Sequence, residues 1–390
     1  MRRSTLIALA MLTLPGAAVA QSCGGPFASF VAAMKSEARD RGFDGTAVDR
    51  FFDGVRQDPR TLRADRSQGI FRLEFVDFAR RIISGDRIRK GAANADRYAD
   101  VFAAIEAQYG VPRGVLLAFW ALETDYGAVQ GDFNTVNSLV TLAHDCRRPD
   151  LFRPQVYAAL ELYARGDLDP DRTTGAWAGE IGQVQMLPGD ILERGVDGDG
   201  DGRVTLKTSV PDALHTGARF LREIGWRSNE PWLIEVNVPD DLDWSQSGLD
   251  TKRPVSAWRA DGVTFRWGDA PAALDASLLL PQGRGGPAFL AFPNYETLFE
   301  WNKSFVYVTT AAYFATRLSG APVFDAGNPA PGLSADQMEA LQRKLVQRGH
   351  DVGAVDGILG RLTRRAVQAE QVRLGLPADA WPTRQLLDAL

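Results

Sequence analysis

Apolar positions recur at helical spacing along most of the first half of the chain. Residues 27–41 and 47–57 read as amphipathic helices. Phe71, Phe75, Phe78 and Ile82 mark a third that ends before Gly85, and these rings read as core. Val101, Ile105 and Tyr109 share one face of a fourth, 98–109. Next comes YGVPRGVLLAFWALETDYG, residues 109–127. Pro112 suits a helix start, Val115 to Leu122 is apolar without a break, and Gly127 supplies a stop. A helix apolar on every side belongs inside the molecule. Helical spacing continues at 137–146, 153–165 and 211–224. From Trp232 the texture changes: 232–238, 263–267 and 287–292 read as strands. Residues 294–301 and 307–318 return to helix. A Pro/Gly/Ala stretch at 321–332 reads as a linker. Beyond it, helices at 338–348, 363–374 and 386–390 form a compact module expected to fold on its own. The predicted fold is mainly α (α+β), with a small β lobe and a small three-helix C-terminal domain.

The central helix carries a carboxyl group at its inner end. Glu123 falls on one ridge with Phe119 and Leu116. Apolar surroundings disfavour the charged form and raise a carboxyl pKa. Moving a Glu from about 4.3 to about 6 takes roughly 2.3 kcal/mol. The product is a proton donor near neutral pH, the arrangement that protonates the leaving oxygen of a glycosidic bond. The plainer alternative is a helix-end Glu paired with an Arg.

Composition narrows the setting. The 390 residues are 45% apolar and 24% charged, ordinary for a soluble globular chain of two or three domains. Arg2, Arg3, the apolar run 6–14 and Ala18-Val19-Ala20 make residues 1–20 a signal peptide. The run is too short to span a bilayer, and no later stretch reaches that length. Export to the periplasm without stable membrane insertion is therefore expected. Removing the two leader arginines takes the formal charge from −5 to −7, which argues against nucleic acid. Cys23 and Cys146 are the only cysteines; in an oxidising compartment they predict a disulfide, two separate thiols being the alternative. His144, His215 and His350 are the only histidines, and there is no H-E-x-x-H, C-x-x-C or G-x-S-x-G. Zinc or a His-based nucleophile is not expected.

Two loops add candidate chemistry. GAWAGEIGQVQMLPG, residues 175–189, carries four glycines with Trp177, Glu180, Gln183 and Gln185. It reads either as a tight-packing loop or as a cleft floor against a sugar. DGDGDG places Asp197, Asp199 and Asp201 at positions 1, 3 and 5 of a calcium loop, with Arg203 offering its carbonyl at 7. Position 12 is Thr208 rather than Glu, so Asp212 is the nearest acid that could close the loop. A solvated Asp-Gly turn is the alternative, but three alternating acids repel unless neutralised, which favours a structural Ca2+. The tryptophans 226, 232, 244, 258 and 267 crowd the β lobe; such rings suit sugar stacking but are more often buried.

Taken together, FARRIISGDRIRKG, YGVPRGVLLAFWALETDYG, WAGEIGQVQMLP, the DGDGDG loop and EWNKSFVY resemble the catalytic domain of periplasmic lytic murein transglycosylases of the B type. The run LQRKLVQRGHDVGAVDGILGRLTRRAVQAEQVRLGLPADAWPT resembles a three-helix peptidoglycan-binding module. With the signal peptide at 1–20 and the linker at 321–332 read from the residues, the resemblance implies a lysozyme-like catalytic domain at 21–320 and a peptidoglycan-binding domain at 333–390. It implies Glu123 as sole acid/base, acting on the bond between N-acetylmuramic acid and N-acetylglucosamine and leaving a 1,6-anhydro end. No cofactor takes part in that chemistry. Gln183, Gln185, Trp301, Asn302 and Tyr307 are the implied substrate contacts, and glycan strands the implied partner of a monomer. Ala176 stands where the family often has a serine bonded to the catalytic Glu. Glu180 is expected to be a structural partner or a rim charge. Two other functions stay open: a hydrolytic muramidase, which needs a second carboxylate among Asp125, Asp132 and Glu180, and a non-catalytic wall-binding scaffold.

Overall fold

The computed structural model describes residues 23–67 and 73–390. The predicted leader and Phe71 lie outside the described residues. The helix Arg113–Thr124 sits at the centre of the largest core. Each residue from Val115 to Ala121 is at most 2% exposed. Its main neighbour is the helix Phe305–Leu318, buried over twelve consecutive residues. Gly114 permits that contact: a Cβ there would lie 2.8 Å from the Ala315 carbonyl oxygen. Helices Gly85–Arg97, Ala99–Tyr109 and Val210–Glu223 close the other sides.

A second core joins Phe27–Asp40 and Gly45–Phe51 to Thr135–His144, Pro149–Arg165 and Pro188–Arg194. The Cys23–Cys146 disulfide forms, as expected, across 123 residues. Beside it the Gly24 N–H donates to the His144 carbonyl at 2.9 Å. The predicted helix 47–57 stops at Phe51 because Asp53-Gly54 turns the chain, with Gly54 at φ 67°.

The short strands β1 (Phe133–Asn134) and β2 (Thr174–Gly175) pair antiparallel beside the glycine-rich loop. The β lobe is one antiparallel sheet of β3 (Leu233–Asn237), β4 (Arg253–Pro254), β5 (Thr264–Phe265), β6 (Asp275–Leu279) and β7 (Ala288–Ala291). The strand order is β4-β6-β7-β3-β5, with Leu290 opposite both Ile234 and Leu278. Trp226 and Trp258 are buried, whereas Trp267 is 39% exposed. The Trp226 indole donates to the Gly110 carbonyl and that of Trp232 to the Ala312 carbonyl.

The C-terminal module, helices Ala335–Gln347, Arg361–Leu374 and Arg384–Ala389, has its own core around Leu341, Leu345, Val367 and Leu386. It also packs on the body. Residues 321–332 have no regular structure yet are fastened: Phe324 meets Tyr313 ring to ring at 4.8 Å, and the Asn328 N–H donates to the Gly285 carbonyl at 2.7 Å. No helix among the described residues is long and apolar enough to cross a membrane.

Candidate active site

Glu123 is the penultimate residue of the central helix and is partly exposed. Its oxygen Oε1 accepts two hydrogen bonds, from the Tyr307 hydroxyl at 2.5 Å and the Trp301 indole N–H at 3.2 Å. Oε2 has no partner among the described residues. An oxygen that already accepts two donors has no room for a proton, so the neutral acid carries its hydrogen on Oε2. Burial pushes the carboxyl up to about 7, against the two hydrogen bonds that pull it down and with a further push from Glu180. Tyr307 is driven well above the usual tyrosine range by its own burial and by Glu123, so it stays a donor. No arginine clamps Glu123 among the described residues, which removes the salt-bridge alternative.

The two donors come from neighbouring helices. Trp301 ends the helix Pro293–Trp301 and stacks on Phe119, centroids 4.4 Å apart. Tyr307 lies in the first turn of Phe305–Leu318 and is 9% exposed. Asn302 shapes the turn between them, its Oδ1 accepting from the Ser304 N–H at 2.9 Å. Trp301 and Tyr307, read from the sequence as substrate contacts, thus touch the acid itself. They supply the orientation that Ala176 cannot.

The helix stop behind Glu123 is unusual. Gly127 was the expected stop, but the turn begins two residues earlier: Asp125, Tyr126 and Gly127 are all left-handed, at φ 51°, 61° and 84°. Such strain persists only where neighbours enforce it. Arg87 and Lys90, from the helix Gly85–Arg97, bond the two Asp125 oxygens at 3.0 and 2.9 Å. The Tyr126 hydroxyl donates to the Arg87 carbonyl at 2.8 Å. The Thr124 hydroxyl donates to the Gln183 carbonyl at 2.6 Å and accepts from the Gly127 N–H. Thr124, Arg87 and Lys90 are functional neighbours that sequence reasoning missed; a hydroxyl next to the acid at a helix end was the available signal for Thr124.

The glycine-rich loop packs tightly and also borders the site. Gln183 is only 4% exposed; its Oε1 accepts from the Trp120 indole at 3.0 Å, and its Nε2 has no partner among the described residues. Gly127 admits it, since a Cβ there would lie 2.4 Å from Gln183 Oε1. Gln185, left-handed at φ 52°, anchors its Nε2 on the Gly182 carbonyl at 2.7 Å and leaves Oε1 open. Glu180 is not a rim charge: its Oε2 is enclosed without a partner, and burial raises its pKa. Asp125 is held low by Lys90 first and then Arg87, so it stays ionised. Asp132 is exposed and bonded to Arg60.

In the acidic loop, Asp197, Asp199 and Asp212 each bring an oxygen within 4.8 Å of the others. Asp212 is fully buried and fixes the loop through the Gly198 and Thr205 N–H groups. Asp201 stands outside this cluster: its Oδ1 takes the Arg203 N–H at 2.8 Å, and Arg203 is exposed. Three converging carboxylates fit a hard cation such as Ca2+.

Residues 26–316 match the transglycosylase SLT domain, and residues 334–390 match the peptidoglycan binding domain. With a mostly helical, lysozyme-like fold, these matches define an enzyme of the lytic transglycosylase class. The chain belongs to the transglycosylase SLT family. It is 36% identical to SltB3 from Pseudomonas aeruginosa, solved in complex with NAG-anhNAM-pentapeptide, over 94% of this chain and 99% of that one, with a TM-score of 0.86. It is 26% identical over 234 residues to the membrane-bound lytic murein transglycosylase B of Escherichia coli K12, covering 60% of this chain. That match spans 64% of the relative's own length, just under two thirds. The fold is shared with E. coli lytic transglycosylase SLT35, solved in complex with calcium, at 23% identity and a TM-score of 0.65, over 79% of this chain and 98% of that one.

Proposed function

We propose that the protein cleaves the MurNAc–GlcNAc β-1,4 bond of peptidoglycan in the periplasm and leaves 1,6-anhydro-MurNAc ends, with Glu123 as the only acid/base. The observation that carries this reading is the carboxyl of Glu123, with one oxygen locked by Tyr307 and Trp301 and the other bare. Oε2–H protonates the glycosidic oxygen as the C1–O bond breaks. The same oxygen then takes the proton of the muramyl C6 hydroxyl as that hydroxyl closes onto C1. The acid is regenerated and no water is consumed. The attacking hydroxyl belongs to the substrate, so little entropy is lost in bringing it to C1.

A hydrolytic muramidase needs a second ionised carboxylate across the bond. Asp125 is tied to two cations, Asp132 to Arg60, and Glu180 is pushed toward its neutral form. These placements favour the anhydro route. Gln183 Nε2, Gln185 Oε1 and Asn302 are the open polar groups proposed for sugar contacts. The C-terminal module is proposed to hold glycan strands, and Asp197, Asp199 and Asp212 to hold a structural Ca2+. The Cys23–Cys146 bond supports an oxidising compartment. Mass spectrometry of released muropeptides tests the reaction: the anhydro product is one water lighter than the hydrolytic one. Digests containing only hydrated reducing ends would overturn it.

A further inference from the structure

The two helices that hold the donors to Glu123 are each gripped by one arginine from the same helix of the C-terminal module. Arg361 and Arg364 lie three residues apart on Arg361–Leu374, on one face. Arg361 Nη1 donates to Oε2 of Glu296 at 2.9 Å, and Glu296 is in the helix that ends at Trp301. Its Nη2 donates to Asp250 at 2.8 Å. Arg364 lies over the ring of Phe305, 4.1 Å from its centroid, and Phe305 opens the helix that carries Tyr307. Arg364 Nη2 donates to the Pro281 carbonyl at 2.6 Å, and no carboxylate pairs with it among the described residues. A cavity of about 70 Å³ lies alongside, lined by Ser304, Phe305 and Val306 of the body and by Met338 and Leu359 of the module. The Ser304 hydroxyl there caps the helix by accepting from the Tyr307 N–H.

We infer that Arg361 and Arg364 are positioning residues for the chemistry, setting the two helices so that Trp301 and Tyr307 meet on one oxygen of Glu123. The sequence suggested a self-contained module outside the active site. In the structure its second helix forms part of the scaffold behind the acid. Neither arginine touches Glu123, and the ion pair and the ring contact act through the start of one helix and the body of the other. This rests on the proposed role of Glu123. Displacements well under an ångström at the acid are enough to matter, since a misplacement of about 1 Å can cost on the order of 100-fold in rate.

The test uses the full-length chain and a short soluble glycan, so that wall binding does not limit the rate. Arg361→Gln and Glu296→Gln remove one ion pair from opposite sides. Each is expected to lower kcat several-fold, roughly three- to tenfold, with KM within about twofold of wild type. The double variant is expected to fall no further than either single one, as for two halves of one contact. Arg364→Ala is expected to lower kcat by at least as much, and Arg364→Lys, which keeps a cation over Phe305, to recover part of it. Arg373→Ala, whose partner Glu370 lies within the module, is expected to keep wild-type kcat. Thermal melts establish that each variant is folded; if Arg364→Ala is not, the Arg361/Glu296 pair decides. Glu123→Gln is run in parallel. If it is inactive while Arg361→Gln and Glu296→Gln keep wild-type kcat, the positioning role is wrong and the role of Glu123 stands. If Glu123→Gln is active, the proposed function itself falls.

Discussion

Tyr307 donates its phenolic hydrogen to Oε1 of Glu123 at 2.5 Å, across 184 residues of chain. This bond has two effects of opposite use to the enzyme. It lowers the pKa of an acid that burial raises, and it fixes which oxygen faces outward. Tyr307→Phe is expected to lower kcat on the order of tenfold, since a hydrogen bond to a charged partner is worth about 1.5–3 kcal/mol. The cycle starts from protonated Glu123, so the basic limb of kcat/KM reports its ionisation. Loss of the bond moves that limb to higher pH. A limb that stays in place or moves down would contradict this placement of Tyr307.

The half-buried acid also costs stability in a defined pH window. The folded-state pKa of Glu123, about 7, lies above its ordinary value of 4.5. The folded protein therefore binds this proton more tightly than the unfolded chain does. The resulting stability is complete below the ordinary value and is lost as pH rises to about 7. Glu123→Gln has no proton to lose. Its melting temperature should gain on wild type between pH 4.5 and 7, by the equivalent of about 2–3 kcal/mol. A difference independent of pH over that range would show that Glu123 titrates normally.

Ca2+ is expected to raise the melting temperature relative to chelator. At one hundred times the dissociation constant a ligand that binds only the folded state adds about 2.7 kcal/mol. Asp199→Asn, which removes one of the three converging carboxylates, should abolish most of that shift. Equal melting temperatures of the wild type in Ca2+ and in chelator would make the loop an ordinary Asp-Gly turn.

The Cys23–Cys146 bond closes a loop of 123 residues. Its removal from the unfolded-state constraint costs up to about 4–5 kcal/mol. Cys146→Ser should melt well below wild type while keeping its initial rate at low temperature, because the bond ties the segment before Phe27–Asp40 to the exposed turn after Thr135–His144 and holds none of the residues that contact Glu123. A variant that melted like wild type would show that the bridge contributes nothing to stability.

Much of the fold was legible because the signal was strong where burial was one-sided or complete. The run from Val115 to Leu122 could only be a core helix, and Glu123 was conspicuous at its end. The helix Gly85–Arg97 was not legible. Its buried residues are Gly91 and Ala95, small because Leu318 and Tyr126 press on that face; a Cβ on Gly91 would lie 2.5 Å from each. A helix whose only large apolar residue is Ile88, and which otherwise docks through Gly91 and Ala95, shows only a weak hydrophobic period. The helices Pro59–Asp65, Pro188–Arg194 and Val255–Ala260 were too short to show one, and β6 was hidden in an apolar run buried on both faces. Around the acid, Trp301 and Tyr307 could be nominated only through a motif, since periodicity does not reach across 178 or 184 residues. The hold of Arg87 and Lys90 on Asp125 depends on tertiary placement and had no local trace.

The claim at the centre is that Glu123 keeps a proton at neutral pH. The most direct measurement is a carbon-13 carboxyl titration by NMR, with the Glu123 resonance assigned by its absence in Glu123→Gln. A midpoint near 7 is predicted. A midpoint near 4.5 would leave the acid ionised under working conditions and contradict the account.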